Sequence, residues 1–125
     1  MQSLLKPGTV VCANYNDFLG NKTVGLFLIL YDEQLDSSHT YKGNVTALKI
    51  TTSLNMCANY CYCLTDGKNS FLDRECFALC SKVITLDKEQ IYKTLGCLHP
   101  STLRQVYKIY RRYEMELERQ MEDYC

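Results

Sequence analysis

Cys57, Cys61 and Cys63 fall in the stretch CANYCYC, and Cys76 and Cys80 follow a short segment later, in a chain of 125 residues with eight cysteines. Cys57-x3-Cys61 and Cys76-x3-Cys80 have the paired spacing with which four thiolates can close a tetrahedral zinc site. The same thiols could instead form disulfides, or pack as small hydrophobes inside a strand. The segment MQSLLKPGTVV lacks an apolar h-region and a small-residue cleavage site, so sorting to an oxidising compartment is not expected. The expectation is therefore a cytoplasmic chain with reduced thiols and no bound metal. Cys61 and Cys63, two residues apart, then share one face of a strand, with Tyr60 and Tyr62 on the other.

A second cluster is one of charge. Arg104, Lys108, Arg111 and Arg112 crowd the first half of a C-terminal periodic segment, and Glu114, Glu116, Glu118, Glu122 and Asp123 fill the second half against Arg119. On a helix this order opposes the macrodipole, which favours acids first and bases last. An antiparallel neighbour or a polyanion would compensate it; a plainly solvated face is the alternative. Over the whole chain, Lys+Arg and Asp+Glu are both 14, giving a formal net charge of zero. That balance neither points to nucleic acid nor forbids it. Asp87, followed at three residues by Gln90, has the form of a capping box.

The elements that must position these residues divide into two parts. Thr9–Tyr15 is a short apolar run opened by the turn signal Lys6-Pro7-Gly8. Asn16–Thr23 forms a polar loop about Gly20, and Val24–Tyr31 is the most apolar segment, with the length of a strand buried on both faces. A long polar loop containing His39 precedes Asn44–Ser53, where β-branched residues alternate. Asn59–Leu64 alternates again, and Cys76–Ile84 is a further apolar run. The capping signals at Asp87 and Gln90, with Gly96 beyond, predict a short helix over Asp87–Leu95. His99-Pro100-Ser101 starts a second helix that runs towards Tyr124, with Leu103, Val106, Tyr110, Tyr113 and Leu117 at helical spacing. No apolar run approaches the ~20 residues of a membrane span.

Four parts of this layout together resemble the MazF/PemK family of toxin ribonucleases. They are KPGTVVCANY at Lys6–Tyr15, the polar loop with the strand VGLFLILYDE, the strand VTALKITTS, and the run CFALCSKVITLDKEQIYKTLGCLHPSTLRQVYKIY at Cys76–Tyr110. The resemblance spans roughly residues 6 to 112. It implies a mainly β fold with α: a small SH3-like, PemK-like β-barrel with helices packed beside it and a long C-terminal helix. A single domain would cover residues 1–125, with 101–125 as the extended helix. It also implies a homodimer, and cleavage of single-stranded RNA without metal or cofactor, leaving a cyclic phosphate and a 5′ hydroxyl. The partner would be an antitoxin whose tail occupies the RNA groove.

Carried over by position, the family's hydroxyl at the end of the third strand matches Thr51. Where the family usually has an Arg-Pro pair, this chain reads Val24-Gly25-Leu26, and the Arg usual before Thr-(I/L)-Asp is Ile84. Lys22 and Lys49 are the residues that could supply the missing charge, as point charges without a guanidinium's two-pronged geometry. Asn16, Phe18, Asn21, Lys22 and Thr52 form the expected RNA-binding set, with Phe18 the candidate for base stacking. His39 has a suitable pKa for a general base, whereas His99 reads as a helix-start residue. Two readings stay open: a toxin-type endoribonuclease, or a catalytically inactive MazF-like binding module, of phage or mobile-element type, acting through protein or RNA contacts.

Overall fold

The computed structural model describes residues 5–17, 19–33, 43–57, 59–65 and 67–123. Phe18, His39, Tyr124 and Cys125 lie outside the described residues. The chain forms β1 (Thr9–Asn16), β2 (Lys22–Asp32), β3 (Asn44–Thr51), β4 (Cys61–Cys63), β5 (Phe77–Asp87), β6 (Ile91–Cys97) and one α-helix, α1 (Pro100–Asp123). The strands make a six-stranded sheet in the order β4-β5-β3-β2-β1-β6, with every pairing antiparallel. β4 and β6 are its two edges, so the expected barrel is left open between them.

The central strand β2 is the apolar run foreseen for a strand covered on both faces. Phe27, Leu28 and Ile29 are 0% exposed and Leu30 is 2% exposed. Their alternation divides the interior into two clusters. Leu28 and Leu30 join Val10, Leu48, Ile50, Leu64, Ala78 and Cys80 on the face that receives Leu98 and Val106. Phe27 and Ile29 join Val11, Ala13, Val45, Ala47 and Leu86 on the opposite face. Each fully buried side chain of this size contributes about 1.5–3 kcal/mol.

The helix is docked by polar contacts that depend on its start. His99 donates its backbone N–H to Asn69 Oδ1 at 2.7 Å, and His99 Nδ1 accepts from Ser101 N at 3.1 Å. Asn69 Nδ2 bonds Leu64 O and Thr102 Oγ1, each at 3.1 Å. Further along, Tyr107 donates its hydroxyl proton to Leu30 O at 2.7 Å, fastening the helix to the end of β2. His99 is thus the helix-start residue its sequence position indicated.

The short helix foreseen over Asp87–Leu95 does not form. The capping box is real: Glu89 N donates to Asp87 Oδ1 and Asp87 N donates to Gln90 Oε1. It closes only a 3-10 turn over Lys88–Gln90, after which Ile91–Cys97 runs as edge strand β6 against β1. Ile91, Tyr92 and Thr94 suit a strand better than a helix. Gly96 is no helix cap: a Cβ there would lie 2.7 Å from Phe71 Cγ, so the position lets an aromatic ring lie against the strand. Among the described residues, α1 is the one α-helix found of the helices expected beside the sheet.

The thiols differ from expectation at one pair. A 3-10 turn at Leu54–Met56 brings Cys57 back beside the start of β4, with Cys57 and Cys61 Cα atoms 5.7 Å apart, and the two cysteines are joined as a disulfide. Cys12, Cys63, Cys76, Cys80 and Cys97 are free thiols. Tyr60 and Tyr62 pack against the helix-side cluster. Among the described residues, no three His, Cys, Asp or Glu side chains converge as a metal site.

Candidate functional site

The site is assembled where β1, β2 and β3 carry the second core cluster to the surface. Tyr15 lies on the same face of β1 as Val11 and Ala13, and its ring meets Phe27 edge-on at 5.3 Å between centroids. Lys49 pairs directly across from Phe27 in the β2–β3 ladder. Its ammonium sits 5.1 Å from the Tyr15 ring centroid and 4.9 Å from that of Phe27. A cation held over aromatic faces is stabilised by the ring quadrupole. Burial works against it, and burial pulls the Lys49 pKa below its ordinary value of 10.5.

Gly25 makes room for this arrangement. A Cβ at position 25 would lie 2.5 Å from Lys49 Nζ and 2.9 Å from Tyr15 Cε1. The ammonium therefore rests where a side chain at 25 would begin. The departure from Arg-Pro seen in the sequence at Val24-Gly25 thus creates space that a lysine from the neighbouring strand fills.

Lys49 opens onto a cleft of about 450 Å3 lined also by Tyr15, Asn16, Asp17, Met56, Lys82 and Ile84. Tyr15 and Asn16 form in addition the wall of an adjoining cleft of about 430 Å3, lined with Asn14, Lys22 and Gln90. Tyr15 and Asn16 line both clefts, with Lys49 and Lys82 at the first and Lys22 at the second. Asn16 and Lys22 are register partners at the end of the β1–β2 ladder. Their connection is held by Asp17, whose Oδ1 accepts from Leu19 N at 3.0 Å and Asn21 N at 2.9 Å, and by Gly20 at φ +84°. That φ favours glycine.

Lys82 was not anticipated from the sequence. Leu48 pairs with Val83, but the next residue, Lys49, pairs with Leu79, so Cys80, Ser81 and Lys82 form a bulge opposite Lys49. Bulges re-aim side chains, and this one delivers Lys82 to the Lys49 cleft. A signal was present: Lys82 lies two residues before Ile84, hence on the same strand face as the position where the resemblance called for an arginine. Both residues line the cleft.

Of the expected set, Lys49 and Asn16 line the first cleft, and Asn16 and Lys22 line the second. Asn21 is exposed within the Asp17 turn. Thr51 lies one pleat beyond Lys49 on β3, and its Oγ1 accepts from Ser53 N at 3.1 Å. Thr51 and the exposed Thr52 stand outside the residues lining either cleft. The Thr51 hydroxyl can still donate while it accepts.

The described residues thus form an open antiparallel sheet that carries lysine-lined clefts and packs against the long helix α1. The chain belongs to the MazF/PemK family: the model for PemK-like, MazF-like toxins of type II toxin-antitoxin systems matches residues 6–112. Among solved structures, an endoribonuclease in complex with its cognate antitoxin from a mycobacterial species superposes with a TM-score of 0.63 at 16% identity, covering 85% of this chain and 90% of that one. An endoribonuclease from a mycobacterial species gives 0.65 at 15% identity, covering 89% and 91%. The MazE–MazF complex from Deinococcus radiodurans gives 0.66 at 12% identity, covering 94% and 98%. At these identities the likeness is one of fold. No curated protein matches the sequence.

Proposed function

We propose that this protein is a toxin-type endoribonuclease that cleaves single-stranded RNA at the Lys49–Lys82 cleft, with the strand running on to the neighbouring Lys22 cleft, and that it acts in the cytoplasm. The observation that carries this reading is the Lys49 ammonium, held between two aromatic rings and facing an open cleft. In the proposed reaction the 2′ hydroxyl gives its proton to solvent as its oxygen bonds the adjacent phosphorus, the P–O5′ bond breaks, and the 5′ oxygen leaves with a proton from Lys49 that solvent then restores. The products are a 2′,3′-cyclic phosphate and a 5′ hydroxyl. The pentavalent transition state gathers negative charge on the phosphoryl oxygens, where a preorganised cation stabilises it. Lys49 holds that place, and its lowered pKa also makes it the better proton donor to the departing oxygen. Lys22 and Lys82 neutralise flanking phosphates, Asn16 offers an amide to the strand, and Thr51 donates from its hydroxyl to a phosphate oxygen. Asn21 and Thr52 contact the strand as it leaves the clefts.

One mycobacterial neighbour is in complex with its cognate antitoxin, and the Deinococcus MazF is in complex with MazE. By analogy, these clefts are where a cognate antitoxin would sit on this chain.

The test is incubation of the purified protein with a long single-stranded RNA in the presence of a chelator. Discrete fragments with cyclic-phosphate ends are expected. Lys49→Ala should slow their formation by roughly 10²–10³-fold, the usual cost of one charge-stabilising group, and Thr51→Ala should reduce it while Thr51→Ser retains it. If wild-type protein binds this RNA without cutting it, the reading fails in favour of a MazF-like binding module.

A further inference from the structure

The Cys57–Cys61 disulfide joins a weakly held segment to a firmly held one. Cys61 is the firm end. It opens β4 and pairs with Leu79 of β5, and the main chain on either side is bonded to the same strand region, with Cys80 N donating to Tyr60 O at 2.8 Å and Leu64 N to Cys76 O at 2.9 Å. Cys57 is the other end, where the 3-10 turn Leu54–Met56 finishes. No residue of that turn is buried, and Leu54 is 67% and Met56 57% exposed. Among the described residues, the turn's hydrogen bonds stay within its own segment. Ser53 N donates to Thr51 Oγ1 and Met56 N to Ser53 O, each at 3.1 Å, and Cys57 N donates to Leu54 O at 3.0 Å.

This segment carries parts of the proposed site at both ends. It starts at Thr51, whose hydroxyl is held by Ser53 N, and it finishes at Met56, which lines the Lys49 cleft together with Leu79. The bridge thus fastens the turn that carries Met56 to the strand pair that carries Leu79. It spans a sequence separation of only 4. A loop that short removes little entropy from the unfolded chain, so the bond does little for the fold as a whole and most for the turn. Cytoplasmic disulfides are usually transient, and either catalytic or redox-sensing. Cys57 and Cys61 are half-buried and within reach of a small thiol, whereas Cys76 and Cys80 are buried.

We infer that Cys57 and Cys61 form a redox switch that assembles or releases one wall of the Lys49 cleft, an inference that rests on the cytoplasmic RNA-cleavage reading above. The couple is a small-molecule thiol and its disulfide. In closing, one thiolate of the pair attacks a sulfur of the small disulfide and expels one small thiol. The second thiolate then attacks the mixed disulfide and expels the other. Two electrons and two protons pass from the pair to the small disulfide, and opening is the reverse. Closed, the turn is fixed, with Met56 in the cleft wall and Ser53 N on Thr51 Oγ1. Open, the turn keeps only the hydrogen bonds of its own segment, and both groups lose their fixed places. The closed form is the active one.

The test equilibrates the full-length protein in glutathione buffers from fully reduced to fully oxidised, and maps free thiols by alkylation and mass spectrometry. Cys57 and Cys61 should pass together from free to paired, while Cys76 and Cys80 stay free. Hydrogen exchange at residues 51–57 should quicken in the reduced form, with exchange in β1 and β2 unchanged. Cleavage of single-stranded RNA should be faster in the oxidised form by roughly 10–10²-fold, the scale of a misplaced positioning group. Cys57→Ser/Cys61→Ser should sit at the reduced level in every buffer. A pair that stays closed in the most reducing buffer, or never closes in the most oxidising one, overturns the inference. So do equal exchange at residues 51–57 in the two states, cleavage that is present but equal in both, and cleavage by the double variant that still follows the buffer. Absence of cleavage in both states, with exchange at 51–57 still following the thiols, counts for the switch and against the RNA-cleavage reading alone.

Discussion

At the scale of single residues, the site turns on where one ammonium rests. Lys49 is held over Tyr15 and Phe27, in space that exists because residue 25 has no side chain. Gly25→Ala places a methyl group within 2.5 Å of the present Nζ position. The flexible lysine is the group that yields, and it moves towards water. Two consequences separate this from simple destabilisation. Cleavage should fall by at least tenfold, because a preorganised charge becomes a mobile one. In addition, the alkaline limb of the rate profile should move to higher pH. In the wild type burial lowers the Lys49 pKa, so the protonated, active form is lost at a pH below the ordinary value; a solvated lysine regains that value. An unchanged pH profile in Gly25→Ala would show that Lys49 is not the titrating group. The sequence made Lys49 legible as a candidate, since it shares a strand with Thr51. Its seat was not legible, because the contact between residues 25 and 49 depends on the β2–β3 register. Lys82 carried one sequence signal, its place two residues before Ile84, but its aim comes from a three-residue bulge that leaves no mark in local hydrophobic alternation.

At the scale of elements, the segment after β5 separates a local signal from a tertiary one. Asp87 and Gln90 carry the signature of a helix start, and they do cap one. The signature specifies the first turn and leaves the residues beyond it undetermined; Ile91–Cys97 is claimed by pairing with β1. β2 was readable for the opposite reason, since a continuous apolar run between polar loops needs no partner to declare itself. The turn after β5 also contains a buried ion pair that local pattern could not foretell. Lys88 Nζ lies 2.6 Å from Asp32 Oδ2, with side chains 4% and 0% exposed. Asp32 Oδ2 also accepts from Leu5 N at 2.8 Å, and Lys88 N donates to Gly43 O at 2.6 Å. The pair therefore ties the end of β2 to the β5–β6 turn. Removing one member strands a buried charge, at a cost of about 3–5 kcal/mol. Lys88→Ala should lower the unfolding free energy by that amount in a denaturant titration, and Asp32→Ala/Lys88→Ala should be less destabilised than the sum of the two single variants. Additivity in that cycle would mean the two groups do not sense each other.

At the scale of the whole molecule, a zero net charge conceals a division into regions. The buried thiols form one neutral region. Burial, and then the nearby Cys63 and Asp73, push the Cys76 thiol up to about 11, and burial pushes Cys80 up to about 12. These thiols stay protonated in the fold while the unfolded chain ionises its own near the ordinary value of 9.0. Stability therefore holds below that value and falls as pH rises towards 11 and 12, because the unfolded state then binds fewer protons. Replacing both thiols with alanine should flatten that decline, measured as the denaturation midpoint between about pH 8 and 11. The cations form two further regions, the cleft lysines and the basic half of α1, and salt dependence can separate them. Each phosphate neutralised along a single strand contributes about −0.7 to the slope of log K against log salt. RNA held by Lys22, Lys49 and Lys82 alone should give a slope of about −2. If the strand ran on over Arg104, Lys108, Arg111 and Arg112, the slope would steepen to about −5. The cleft reading requires the shallower value, and requires Lys82→Ala to reduce it by about 0.7 while Lys108→Ala leaves it unchanged. A steep slope sensitive to Lys108 would instead make α1 part of the RNA track.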